Sequence, residues 1–158
     1  MLLLAGGVSM GKYDFVEQVL GDLSAEFFFT GALIQPGRPV VFGRALNKYF
    51  FGLPGNPVST MVTFELFVRP MLDVLSGAPV TPLRFLSAPL KSEVKTKTGL
   101  TRFLPAKLSG EFDRTEVELA AWQGSGDIAA LARANCYLVI PPDRERIPAG
   151  EMVSVLMR

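Results

Sequence analysis

Three short turns hold the residues best suited to chemistry. Near the start, LAGGVSMGKYDF sets Gly6, Gly7 and Ser9 between an apolar run and a helical pattern. Glycines there admit positive φ and let a ligand approach backbone N–H groups, while Ser9 suits the cap of the helix that follows. The second turn, IQPGRP, uses Pro36 and Gly37 to present Arg38 on a stiff loop, where a guanidinium can grip phosphate at two points. The third, LPGNP, holds Gly55 and Asn56 between Pro54 and Pro57 and leads directly into a helix. Asn56 is its natural cap, Pro57 suits the first helical position, and the helix start is itself attractive to anions. Asp14 lies on or just before the first helix, where it could orient a hydroxyl or a cation; a favourable charge at a helix start explains it equally well. Each turn alone is also explained by a plain strand-to-helix connection, and Arg38 alone by a solvated loop residue. Three such turns, each after a strand, are harder to explain that way.

The remaining composition narrows the chemistry. The 158 residues contain no histidine and one cysteine, Cys136, which excludes Ser–His and Cys–His catalysis, an internal disulfide and any multi-cysteine metal site. What is left is carboxylates, hydroxyls, backbone groups, basic side chains or a hard, oxygen-bound cation such as Mg²⁺. Cys136 stands in the apolar run CYLVI and reads as a buried strand residue. A net charge of +1 gives no general attraction to nucleic acid or membrane. Residues 84–107 gather Arg84, Lys91, Lys95, Lys97, Arg102 and Lys107 against Glu93, but without the interleaved aromatics of a nucleic-acid surface, so they read as a solvated β face. MLLLA is too short for a signal peptide and no apolar stretch is long enough to span a bilayer, so the expected location is the cytoplasm.

The elements that must position these turns form two domains. Residues 1–78 read as α/β: a buried strand at Leu2–Leu4, a helix with Tyr13, Val16, Val19, Leu20 and Leu23 at helical spacing, a strand at Glu26–Thr30, and strands at 39–43 and 48–53 around RALNK. A buried helix then runs from Pro57 to about Leu75, with a kink expected at Pro70 and an ion pair between Glu65 and Arg69. Residues 79–158 read as a small, mostly-β, barrel-like domain with strands near 84–91, 101–108, 114–121, 135–141 and 151–157 and a helix near 126–133. The first domain has fewer strands than an open α/β sheet normally needs, so it is expected to be an N-terminally truncated form of one.

GGVSMGKYDF, QPGRPVVFG and GLPGNPVSTMVTFELFVRPML resemble, in order and spacing, three motifs of the molybdopterin molybdenumtransferases, the MoeA and gephyrin E-domain family. WQGSGDIAALARANCYLVIP resembles that family's C-terminal domain. The resemblance implies a pterin-binding α/β domain followed by a C-terminal β-barrel. It implies insertion of molybdate into adenylylated molybdopterin, with Mg²⁺ and release of AMP, in a homodimer whose cleft draws on both subunits; the molybdopterin adenylyltransferase is an implied partner. Carried over by position, Gly6, Gly7, Ser9, Pro36, Gly37, Arg38, Gly55, Asn56, Ser59 and Ser125 would bind the pterin substrate, and Asp14, Pro54 and Pro57 would lie at the reacting centre. Ala5, Gln35 and Pro105 stand where the family has a hydroxyl residue, a lysine and an arginine, and Arg38 stands where a lysine is commoner. The family's N-terminal domains, with their acidic residues, have no counterpart here, so the chain alone is expected to be inactive. A non-catalytic module that holds a pterin or nucleotide phosphate for a partner is the alternative, and a nucleic-acid-binding β domain a third.

Overall fold

A computed structural model describes residues 1–8, 15–121 and 124–158, which divide into two compact units. One comprises Met1–Ala32 and Gly37–Val80, the other Leu33–Pro36 and Thr81–Arg158.

In the first unit, β1 (Leu2–Ala5), α1 (Val16–Asp22) and β2 (Glu26–Phe29) come first. The chain then gives β3 (Ile34–Gln35) to the second unit and returns with β4 (Val41–Ala45) and β5 (Lys48–Leu53). The sheet runs β1-β5-β4-β2, with β1 parallel to β5 and the other pairs antiparallel. Leu46 and Asn47, both at positive φ, turn β4 into β5; asparagine tolerates that region, whereas Leu46 is held there with most of its surface in solvent. Successive strand residues face opposite ways, so Phe50 packs with Val8, Leu20 and Val41 while Phe51 packs with Val40, Leu53 and Val68.

The second layer is one continuous helical stretch: α2 (Pro57–Thr63), a π-helical turn over Phe64–Val68, and α3 (Arg69–Leu75). The disturbance expected at Pro70 takes the form of that π turn. It leaves Pro70 at the start of α3, where a missing N–H costs least. Glu65 and Arg69 form the expected pair at 2.8 Å. Two expectations of burial need correction. The helix is buried only as far as Val68: Val58, Val62 and Val68 are inaccessible, whereas α3 has no buried residue and Leu72, Val74 and Leu75 are exposed. Strand β1 is also not buried, because it occupies the sheet edge, and Leu2 and Leu3 are 48% and 41% exposed.

The second unit contains β6 (Phe85–Pro89), β7 (Val94–Lys95), β8 (Thr101–Ser109), β9 (Glu116–Leu119), α4 (Ile128–Arg133), β10 (Cys136–Ile140), β11 (Arg146–Ile147) and β12 (Met152–Met157). Its main sheet runs β3-β8-β10-β12-β6, and β9 pairs with β8. Just beyond β6, Leu90 bridges to Val117 of β9 and the Lys91 amide donates to the Val117 carbonyl at 2.9 Å. That bridge joins the β6 end of the sheet to β9, and through β9 to β8, which closes the sheet. Leu104 and Ala106, Cys136, Leu138 and Ile140, and Val153 and Val155 point inward at every second position. The Cys136 thiol donates to the Ala106 carbonyl at 3.2 Å, and burial pushes its pKa up, so it serves as a core residue.

Candidate functional site

Parallel pairing brings the carboxyl ends of β1 and β5 side by side, so the turns that follow them must meet. The Gly6 amide extends the ladder by donating to the Leu53 carbonyl at 2.8 Å. Gly6 and Gly7 then adopt φ of +87° and +74°, conformations that side chains rarely tolerate. A Cβ on Gly55 would lie 3.4 Å from the Gly6 Cα, so two glycine turns run almost in contact.

Between them lies a cleft of about 280 Å³, lined by Gly6, Gly7, Val8, Pro39, Pro54, Gly55, Asn56 and Ser59. That volume is at the lower edge of ordinary small-molecule pockets, and it suits one end of a ligand, such as a phosphate with its nearest atoms. The first and third sequence motifs, almost fifty residues apart, thus form one site.

Its polar groups are few and specific. The Gly6 amide is already committed to Leu53, so only the Gly7 amide of this pair remains without a backbone partner among the described residues. Asn56 holds the cap position at an extended ψ of 125°, yet its side chain does not cap the helix. Pro57 has no N–H, and the amides of Val58 and Ser59 begin the helix without intrahelical acceptors. Ser59 is 5% exposed and makes no hydrogen bond through its hydroxyl among the described residues, so an oxygen sits on the cleft wall ready to donate or accept. Uncommitted amides, a helix start and a hydroxyl are the groups that bind an oxyanion. The described lining carries no charge.

Of the residues singled out in the sequence, Gly6, Gly7, Pro54, Gly55, Asn56 and Ser59 line this cleft. Pro57 starts α2 next to it, and Ser9 and Asp14 fall outside the described residues. The second motif divides: Pro36 belongs to the second unit, while Gly37 is buried and Arg38 exposed in the first. The Arg38 carbonyl accepts from the Ala32 amide at 3.0 Å, which fixes its backbone, and its guanidinium forms no ion pair among the described residues. Ser125 lies in the second unit, half-buried before α4. Asp127 caps that helix by accepting from the Ala130 amide at 2.9 Å. Sequence reasoning missed Val8 and Pro39. Val8 packs so tightly on Gly52 that a Cβ there would lie 2.5 Å from its Cγ1, a long-range contact with no local signal.

The basic strip does not form a single surface. Lys91 pairs with Glu116 and Glu118, Lys95 pairs with Glu93, and Arg102 is 9% exposed with its guanidinium on the Lys97 carbonyl. Among the described residues no helix is long and apolar enough to cross a membrane.

Residues 1–74 match a family model described as "Probable molybdopterin binding domain", and residues 87–157 match "MoeA C-terminal region (domain IV)". The chain is 35% identical to a molybdopterin molybdenumtransferase of Haemophilus influenzae, over 98% of this chain and 39% of that protein. A protein of the same name from Staphylococcus aureus is 30% identical over 99% of this chain and 38% of its own length. Among solved structures, a molybdopterin biosynthesis MoeA protein of Pyrococcus horikoshii superposes with a TM-score of 0.78 at 30% identity, covering 99% of this chain and 36% of that one. A molybdenum cofactor biosynthesis protein of Pyrococcus furiosus gives 0.68 at 31% identity, covering 85% and 46%. The chain spans about two fifths of the length of the curated relatives it matches.

Proposed function

Because the chain belongs to the MoeA family, matched in both of its units, we propose that it serves molybdenum cofactor biosynthesis by holding the phosphate end of molybdopterin in the cleft between Gly6–Val8 and Pro54–Ser59. The observation that carries this reading is the meeting of the two glycine turns beside a helix start and the buried Ser59 hydroxyl. The Gly7 amide, the first amides of α2 and the Ser59 hydroxyl bind the phosphate oxygens, and Arg38, on the loop leading to Pro39, adds the cationic contact. Pro54 and Pro57 keep the third turn rigid, so little ordering entropy is lost on binding.

The reaction served is transfer of molybdate to adenylylated molybdopterin with release of AMP, in the cytoplasm and within a homodimer fed by the adenylyltransferase. Mg²⁺ prefers carboxylate and water oxygens, and the described lining offers only neutral ones. Those residues do not by themselves suit the cation. The same donor set favours a second reading for the chain acting alone, that of a binding or assembly module. Both readings require pterin binding, and they part at turnover. Anaerobic titration with molybdopterin should show saturable binding to the 158-residue chain. Adenylylated molybdopterin with molybdate and Mg²⁺ should yield no AMP above the uncatalysed rate until the remainder of a full-length relative is supplied. Absence of pterin binding overturns both readings; turnover by the chain alone overturns the module.

A further inference from the structure

We propose that Thr60, which does not line the cleft, is the positioning residue that sets its width; the inference rests on the pterin-binding reading above. The third turn has an unusual hydrogen-bonding problem. Pro54 and Pro57 have no N–H, so the segment between them has few amides with which to tie itself down. Pro54 is buried, and a buried carbonyl without a partner is costly. The Thr60 hydroxyl supplies the tie, lying 2.5 Å from the Pro54 carbonyl oxygen and 3.0 Å from that of Asn56. The Asn56 carbonyl already accepts the Thr60 amide at 2.9 Å, so the single hydroxyl proton is needed at Pro54.

These two anchor points flank Gly55, the residue that nearly touches Gly6. Thr60 therefore fixes how closely one wall of the cleft approaches the other. Its own place is secured one turn later, where the buried Thr63 hydroxyl lies 2.9 Å from the Ser59 carbonyl and 3.1 Å from that of Thr60. Together the two threonines hold the third turn onto the first turns of α2.

Thr60→Val keeps the shape and removes the donor, and Thr60→Ser keeps the donor. Two readouts separate positioning from bulk stability. In the ligand-free chain, Thr60→Val should shift the amide resonances of Gly6 and Gly55, and Thr60→Ser should return them toward the native values. In anaerobic calorimetry with molybdopterin, Thr60→Val should raise Kd at least fivefold, with Thr60→Ser within about twofold of the unchanged chain. Leu138→Ala, a core substitution in the second unit, should lower Tm while leaving both readouts unchanged. Native Gly6 and Gly55 resonances in Thr60→Val overturn the positioning role, and so does a native Kd. If the unchanged chain itself fails to bind molybdopterin, the pterin reading falls, and the ligand-free resonances still decide the role of Thr60.

Discussion

Replacing Gly55 by alanine separates a ligand cradle from a tight turn. Gly7→Val cannot do so. Gly7 has φ +74° and its Cβ would lie 3.0 Å from the Val16 Cγ2, so a side chain there strains the turn whether or not anything binds. Gly55 does not share that backbone conformation, and its new Cβ would meet only the Gly6 Cα, at 3.4 Å, the near limit of ordinary contact. Folding should be barely affected. A Gly-to-Ala change at a compatible site stabilises by about 0.4–1 kcal/mol through the unfolded chain, raising Tm by a few degrees at most. Binding should suffer, because the added methyl occupies the gap through which a phosphate oxygen reaches the Gly7 amide. Loss of one charge-assisted hydrogen bond costs about 1.5–3 kcal/mol, or roughly 10- to 150-fold in Kd. Anaerobic calorimetry with molybdopterin, paired with a melting curve, measures both quantities. A native Kd in Gly55→Ala would mean that the two glycine turns touch for packing alone.

Arg38→Ala should weaken molybdopterin binding by about 1.5–3 kcal/mol in the same titration, with Tm unchanged because the exposed side chain forms no ion pair among the described residues. In the helix, Arg69→Ala should lower the urea midpoint more than Glu65→Gln, since it strands a carboxylate that is only 5% exposed whereas the amide removes the charge itself. The Arg146 guanidinium, 2.5 and 2.6 Å from Glu93, holds that carboxyl below its ordinary pKa, with Lys95 adding to the effect. A lowered folded-state pKa stabilises above the unfolded value of about 4.3 and loses that contribution as pH falls through the folded one. Glu93→Gln should therefore melt slightly below the unchanged chain at pH 7 in low salt, and the gap should close below about pH 4.

What the sequence discloses follows the range of the interactions involved. Hairpin β4–β5 was legible because Asn47 suits its turn and the Phe50–Phe51 pair fills both faces of one strand. The helix start at Pro57 was legible because the constraint is local. Strand β3 was not, since Ile34 and Gln35 pair with Thr101 and Arg102 more than sixty residues away and carry no periodicity of their own. Exposure misled as well: an all-apolar β1 reads as interior, yet pairing on one side only leaves Leu2 and Leu3 in solvent. At the site, residue types marked Gly6, Gly7 and Gly55, whereas Ser59 came only with the family resemblance. The engagement of the Gly6 amide by Leu53 and of the Pro54 carbonyl by Thr60 depends on which strand ends are neighbours, and only the fold supplies that.

The central claim, that molybdopterin phosphate sits between the two glycine turns, is tested most directly by amide chemical shifts. A ¹⁵N-labelled chain titrated anaerobically with molybdopterin should show its largest, saturable changes at Gly6, Gly7, Val8, Gly55 and the first amides of α2. Inorganic phosphate should move a subset of the same resonances at much higher concentration. Saturable changes confined to residues 84–121 or 124–158, with Gly7 and Gly55 unmoved, would contradict the account.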